Sequence, residues 1–124
     1  MTGTQTKVNG IDASYYYVLD MKRAVDFYKA LLGAEPTLKF ADSVYEWTFP
    51  DGATFGLYQP GEQEGGFRPG GGILFNVDDV AAAMGAAKAR GVTFHGHEDT
   101  PNCRMAFGVD SEGNGFILHR RKDD

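Results

Sequence analysis

The chain has 124 residues, 42% apolar and 23% charged, which fits one packed domain over residues 1–124 and excludes a disordered chain. Twelve basic against seventeen acidic side chains leave a net charge of −5, so neither a nucleic-acid nor an anionic-membrane partner is expected. No run approaches the roughly 18 apolar residues of a membrane span, Met1–Asn9 has no signal-peptide core, and the single Cys103 allows no internal disulfide. The cytoplasm is the expected compartment.

The first strand is read over Ala13–Leu19, rich in Tyr and Val. Asp20 then caps a helix, Met21–Leu32, whose apolar residues at 21, 24, 25, 28, 31 and 32 fall on one face, and Gly33 stops it. Short strands follow at Thr37–Phe40, Val44–Phe49 and Thr54–Gln59, with Asp51-Gly52 as a hairpin signal between the last two. After a Gly-rich linker, residues 60–72, the order returns. Ile73–Val77 is a strand, Asp78 or Asp79 caps an Ala-rich helix Val80–Arg90, and strands follow at Val92–His95, Arg104–Val109 and Gly115–Arg120. Asp51-Gly52-Ala-Thr-Phe55-Gly56-Leu57-Tyr58 parallels Glu112-Gly113-Asn-Gly-Phe116-Ile117-Leu118-His119. An internal repeat of one element order, over 11–59 and again over 73–121, predicts an α+β fold of two tandem βαβββ modules whose curved mixed sheets surround a cup.

Val18-Leu19-Asp20, Phe27-Tyr28-Lys29-Ala30-Leu31-Leu32-Gly33, Phe75-Asn76-Val77-Asp78-Asp79 and Asp110-Ser111-Glu112-Gly113-Asn114 resemble motifs of the vicinal oxygen chelate superfamily, which includes glyoxalases, bleomycin-resistance proteins and extradiol dioxygenases. One scaffold there hosts many reactions. In metal-dependent members the resemblance implies four His or Glu ligands around a divalent ion. The corresponding positions here are Ala13, Gly56, Gly72 and Ile117. None has a side-chain donor, so neither a metal nor another cofactor is expected.

Strand alternation sorts the remaining residues. Tyr16, Val18, Phe55, Leu57, Ile73, Phe75, Val77, Phe116 and Leu118 share the core parity. The opposite parity lines the cup with Tyr15, Tyr17, Tyr58, Asn76 and His119. A two- or four-residue loop at Asp51-Gly52 would also set Trp47 opposite Gly56 and Tyr45 opposite Tyr58, adding both rings to the lining. Such a cup suits an aromatic or planar organic ligand. The alternation of His95 and His97 beside Glu98 and Asp99 has the spacing of a metal string. The core parity of Val92 and Phe94, however, turns both histidines outward or into a loop. Cys103 has no neighbouring histidine and reads as a packed thiol.

Two functions from different classes remain. One is a metal-free protein that binds or sequesters a small molecule, as in the bleomycin-resistance branch. The other is a lyase or dioxygenase-type enzyme, either using His119, Glu46 or a tyrosine as acid/base or carrying relocated metal ligands. A homodimer is expected in either case, because open sheet edges and an apolar concavity favour burial.

Overall fold

The computed structural model describes residues 9–122. Helix α1 runs over Met21–Leu32, as its apolar stripe predicts. The Asp20 carboxylate accepts from the Arg23 amide at its start, and Gly33, at φ 67°, closes its end by donating to the Lys29 carbonyl. Strand β1 (Ser14–Tyr17) precedes it, and β2 (Leu38–Phe40), β3 (Val44–Thr48) and β4 (Thr54–Tyr58) follow. A single 3-10 turn, Glu62–Glu64, interrupts the linker. The second module is β5 (Gly71–Asn76), α2 (Val80–Ala89), β6 (Gly96–Asp99), β7 (Cys103–Val109) and β8 (Gly115–Arg121).

Each module forms its own four-stranded mixed sheet. The orders are β1-β4-β3-β2, here called sheet A, and β5-β8-β7-β6, sheet B. In each, the first strand lies parallel to the last and the other pairs are antiparallel. The repeat in the sequence is thus a repeat in topology. Strand β6 begins at Gly96, so Val92 and Phe94 precede it rather than forming it, although Val92 is still buried and Phe94 packs on Phe116.

One core serves both modules. Tyr28 of α1 is fully buried, with its ring centroid 4.8 Å from Phe55 in sheet A and 6.4 Å from Phe75 in sheet B. Phe27 meets Phe116 at 5.8 Å, and Phe55 meets Phe75 edge-on at 5.0 Å. The face of each sheet carrying Phe55, Leu57, Phe75, Phe116 and Leu118 therefore turns toward the same aromatic centre. The opposite faces look away from it.

Polar contacts lock the modules together where α1 meets the β7–β8 turn. The buried Glu112 carboxylate accepts from the amides of Leu19 (2.9 Å) and Asp20 (2.8 Å) and from the Arg23 guanidinium (2.6 and 3.0 Å). Tyr28 donates to Asp110 at 2.6 Å, and Asn114 donates to the Tyr17 carbonyl at 3.0 Å. At the other end of the helices, Arg90 Nε donates to the Ala30 carbonyl at 2.6 Å. Among the described residues no helix is long and apolar enough to cross a membrane.

Candidate functional site

The outward face of sheet A is built around a glycine. Tyr15, Gly56 and Glu46 stand in one row across β1, β4 and β3. A Cβ added to Gly56 would lie 2.5 Å from Tyr15 Cζ, so only glycine lets the Tyr15 ring lie across β4. The ring spans that gap and its hydroxyl donates to the Glu46 carboxylate. Partial burial, then the hydrogen bond and the negative charge of Glu46, push the Tyr15 phenol up to about 12. In the next row Tyr17 and Tyr58 form an edge-to-face pair with centroids 5.6 Å apart. Exposed Leu38 and Phe40 on β2 extend this surface, a contribution that three-residue β2 was too short to signal by alternation.

Trp47 and Tyr45 are not part of this face, and their assignment to the cup is corrected here. Phe49 and Ala53 close the β3–β4 hairpin around three residues, Pro50-Asp51-Gly52. An odd loop shifts the pairing by one, giving Glu46↔Gly56, Trp47↔Phe55 and Tyr45↔Leu57. A one-residue slip exchanges the two faces of a strand. Trp47 is consequently 1% exposed, packed on Phe55 and donating its indole N–H to the Ala34 carbonyl. Tyr45 packs at the margin of the core, with the Lys39 ammonium 5.6 Å from its ring centroid. Glu46 takes the place expected for Trp47.

The remaining candidates lie on the outward face of sheet B. Asn76, His119, Met105 and Glu98 form one row, and Leu74, Ile117, Phe107 and Gly96 the next. His95 lies outside β6 and stacks on Phe107 at 6.4 Å between ring centroids. His97, on β6, is exposed, and Cys103 is half-buried against the Thr100 hydroxyl. Tyr15, Tyr17 and Tyr58 thus stand on sheet A, and Asn76 and His119 on sheet B.

The four positions where the family resemblance puts metal ligands do not fit a metal ion. Ala13, Gly72 and Ile117 offer no side-chain donor, and the space beside Gly56 is filled by the Tyr15 ring. Among the described residues no group of three or more His, Cys, Asp or Glu side chains could hold a metal.

Two recesses adjoin these surfaces. One of about 820 Å³ runs along α1, with Met21, Val25, Pro36 and Tyr45 in its walls; Lys22–Asp26 and Lys29–Glu35 ion pairs border it. Its rim charges largely answer one another. The second, about 470 Å³, lies beyond the β1 edge against Tyr15, Tyr17, Arg68 and Asn114. It continues the tyrosine face.

The chain belongs to the Glyoxalase/Bleomycin resistance protein/Dioxygenase superfamily, whose family model matches residues 10–118. Among solved structures, a glyoxalase/bleomycin resistance protein from Catenulispora acidiphila is similar, with 24% identity and a TM-score of 0.73 over 86% of this chain and 93% of that one. Lactoylglutathione lyase from Agrobacterium tumefaciens is 20% identical with a TM-score of 0.75, covering 90% of this chain and 93% of the lyase. TnmS3, an antibiotic binding protein from a Streptomyces species, is 22% identical with a TM-score of 0.74, covering 95% of this chain and all (100%) of that protein. At these identities the likeness is one of fold. No curated protein matches the chain.

Proposed function

We propose that this protein binds an aromatic or planar small molecule on the outward face of sheet A, by burial and a few hydrogen bonds and without a metal ion. The observation that carries this reading is the Tyr15 ring lying across Gly56 beside the Tyr17–Tyr58 pair, where the family would set a metal ligand. The ring surfaces are partly open, with Tyr15 37% and Tyr17 49% exposed. Burying about 150 Å² of a ligand ring at roughly 25 cal/mol per Å² gives several kcal/mol before association entropy is subtracted. That sum is of the order of the roughly 4 kcal/mol of a millimolar complex, so tighter binding draws on the hydrogen bonds as well. The antibiotic-binding protein among the similar folds is in keeping with such a role.

A titration with 2-naphthylmethanol, followed by its own fluorescence, tests the reading. The wild-type chain should bind it, and Gly56→Glu should weaken binding at least about tenfold, by displacing the Tyr15 ring and setting a carboxylate among rings. Equal affinity in the two proteins would sink the proposal. The variant should still fold, since the atom in conflict is the far end of a surface side chain.

The chain is proposed to act as a homodimer. Leu38, Phe40, Tyr15 and Tyr17 on one sheet, and Leu74 and Val109 on the other, are exposed on outward faces, and a second copy would cover them. The outward face of its sheet B, set over sheet A, would also bring Asn76 and His119 to the tyrosines. Light scattering at micromolar concentration should give twice the chain mass of 13.5 kDa; a mass of one chain would contradict this. One observation favours the enzyme reading as second choice. Tyr15, its phenol pushed up by partial burial and by Glu46, is placed to share a proton with a bound substrate.

A further inference from the structure

We infer that the outward face of sheet A selects an aromatic organic cation, an amine whose ammonium group is taken by the Glu46 carboxylate while its ring lies on Tyr15, Tyr17 and Tyr58. This rests on the proposed function and names the ligand class for that site.

The surroundings of Glu46 carry the argument. It is half-buried in the middle of the face. Across the sheet it is flanked by Gly56 and Leu38, and along β3 the same face holds Val44 and Thr48. None of these is charged. Among the described residues no lysine, arginine or histidine forms an ion pair with it; Lys22–Asp26, Arg23–Glu112, Lys29–Glu35, Lys39–Asp42 and the pairs about Asp99 all lie elsewhere. The cation bordering the tyrosines, Arg68, stands beyond the edge strand β1, whereas Glu46 is two strands further in, about 10 Å by ordinary strand spacing.

A carboxylate has acceptor capacity for several donors, and Tyr15 supplies one. A neutral ring settling on this face strips water from that charge without replacing it, which opposes binding. An ammonium group replaces the lost water with a charge-assisted hydrogen bond. The tyrosine ring faces attract the same cation through their quadrupoles. An anion meets like charge and desolvation together. One face therefore discriminates three ligands of equal shape.

The test uses three probes with a common ring at neutral pH and physiological ionic strength: 2-naphthylmethylamine, 2-naphthylmethanol and 2-naphthoate. On the wild-type chain the amine should bind about tenfold tighter than the alcohol, and the naphthoate weaker than either. In Glu46→Gln the amine should bind within about threefold of the alcohol. Tyr15→Phe, which removes the hydroxyl competing for the carboxylate, should keep the preference for the amine. An amine that binds no tighter than the alcohol, or a preference that survives Glu46→Gln, overturns the inference while the aromatic-ligand reading stands. If none of the three probes binds, both fail.

Discussion

Glu112→Ala should lower the unfolding free energy by about 3–5 kcal/mol in urea denaturation, enough to use up much of a small domain's reserve. The Glu112 side chain is fully buried and takes the Leu19 and Asp20 amides, the Arg23 guanidinium and the Ser111 hydroxyl. Removing it takes from two backbone donors at the start of α1 their charged acceptor, and a hydrogen bond to a charged group is worth about 1.5–3 kcal/mol. The contact also joins the first module to the second across 93 residues of chain, so its loss loosens the fold rather than one loop. Burial by itself would raise the Glu112 carboxyl. Arg23, Ser111 and the two amides overcome that and carry it from 4.5 down to about 2.

The sign of the pH effect follows. A carboxyl lowered on folding stabilises the folded chain fully above its ordinary value and loses that contribution as protons are taken up below it. Stability should therefore be level above about pH 5 and fall between 4.5 and 2. The part due to Glu112 is about 2–3 kcal/mol, after allowing for water around the half-exposed Arg23. Glu112→Gln should be less costly than Glu112→Ala and should flatten that acid limb. An unchanged acid limb in Glu112→Gln, or a loss under about 1 kcal/mol in Glu112→Ala, would show that the turn is not the clasp described.

Tyr28→Ala should cost about 5 kcal/mol and leave a chain that is poorly folded at 37 °C. The side chain is fully buried at the meeting point of Tyr16, Phe27, Trp47, Phe55 and Phe75. Truncating a core aromatic costs about 3–5 kcal/mol, and the space left opens the contact between the two sheets. Its hydroxyl adds a second loss, because it donates to buried Asp110 at 2.6 Å. Tyr28→Phe isolates that part. Asp110 keeps the amides of Glu112 and Asn114 and the Asn114 side chain as donors, so the expected cost is about 1.5–3 kcal/mol. Thermal unfolding followed by circular dichroism orders the three proteins, wild type above Tyr28→Phe above Tyr28→Ala. Indistinguishable midpoints would refute the shared core.

How much of this was legible in the sequence depended on the strand. Along β1, β4, β5 and β8 one parity carries Tyr16, Phe55, Leu57, Ile73, Phe75, Phe116 and Leu118, and that assigns Tyr16, Phe55, Phe75 and Phe116 to the core. Helix α1 could be bounded to the residue because Asp20 and Gly33 are chemically distinct ends. The strand β3 was different. Its sequence Val44-Tyr-Glu-Trp-Thr48 puts an apolar or aromatic residue on either face, so its orientation rests on the length of the turn that follows. Asp51-Gly52 suggests an even loop; Pro50 ahead of it makes the loop odd, and Glu46 rather than Trp47 faces outward. The polar residue between two aromatics was the available signal.

How the two sheets are set against each other was not legible, because strand parity says only which way a side chain points within a sheet. That arrangement is fixed by long-range contacts such as Phe27 with Phe116 and Glu112 with Leu19. They depend on α1 lying against both sheets.

Where a ring binds is the claim on which the rest depends, and the larger recess beside α1 is its physical competitor. An isotope-filtered nuclear Overhauser spectrum of the labelled protein saturated with 2-naphthylmethanol decides between them. Contacts from the naphthalene protons to the rings of Tyr15, Tyr17 and Tyr58 are expected. Contacts to Met21, Val25 and Tyr45 in their place would contradict binding on sheet A.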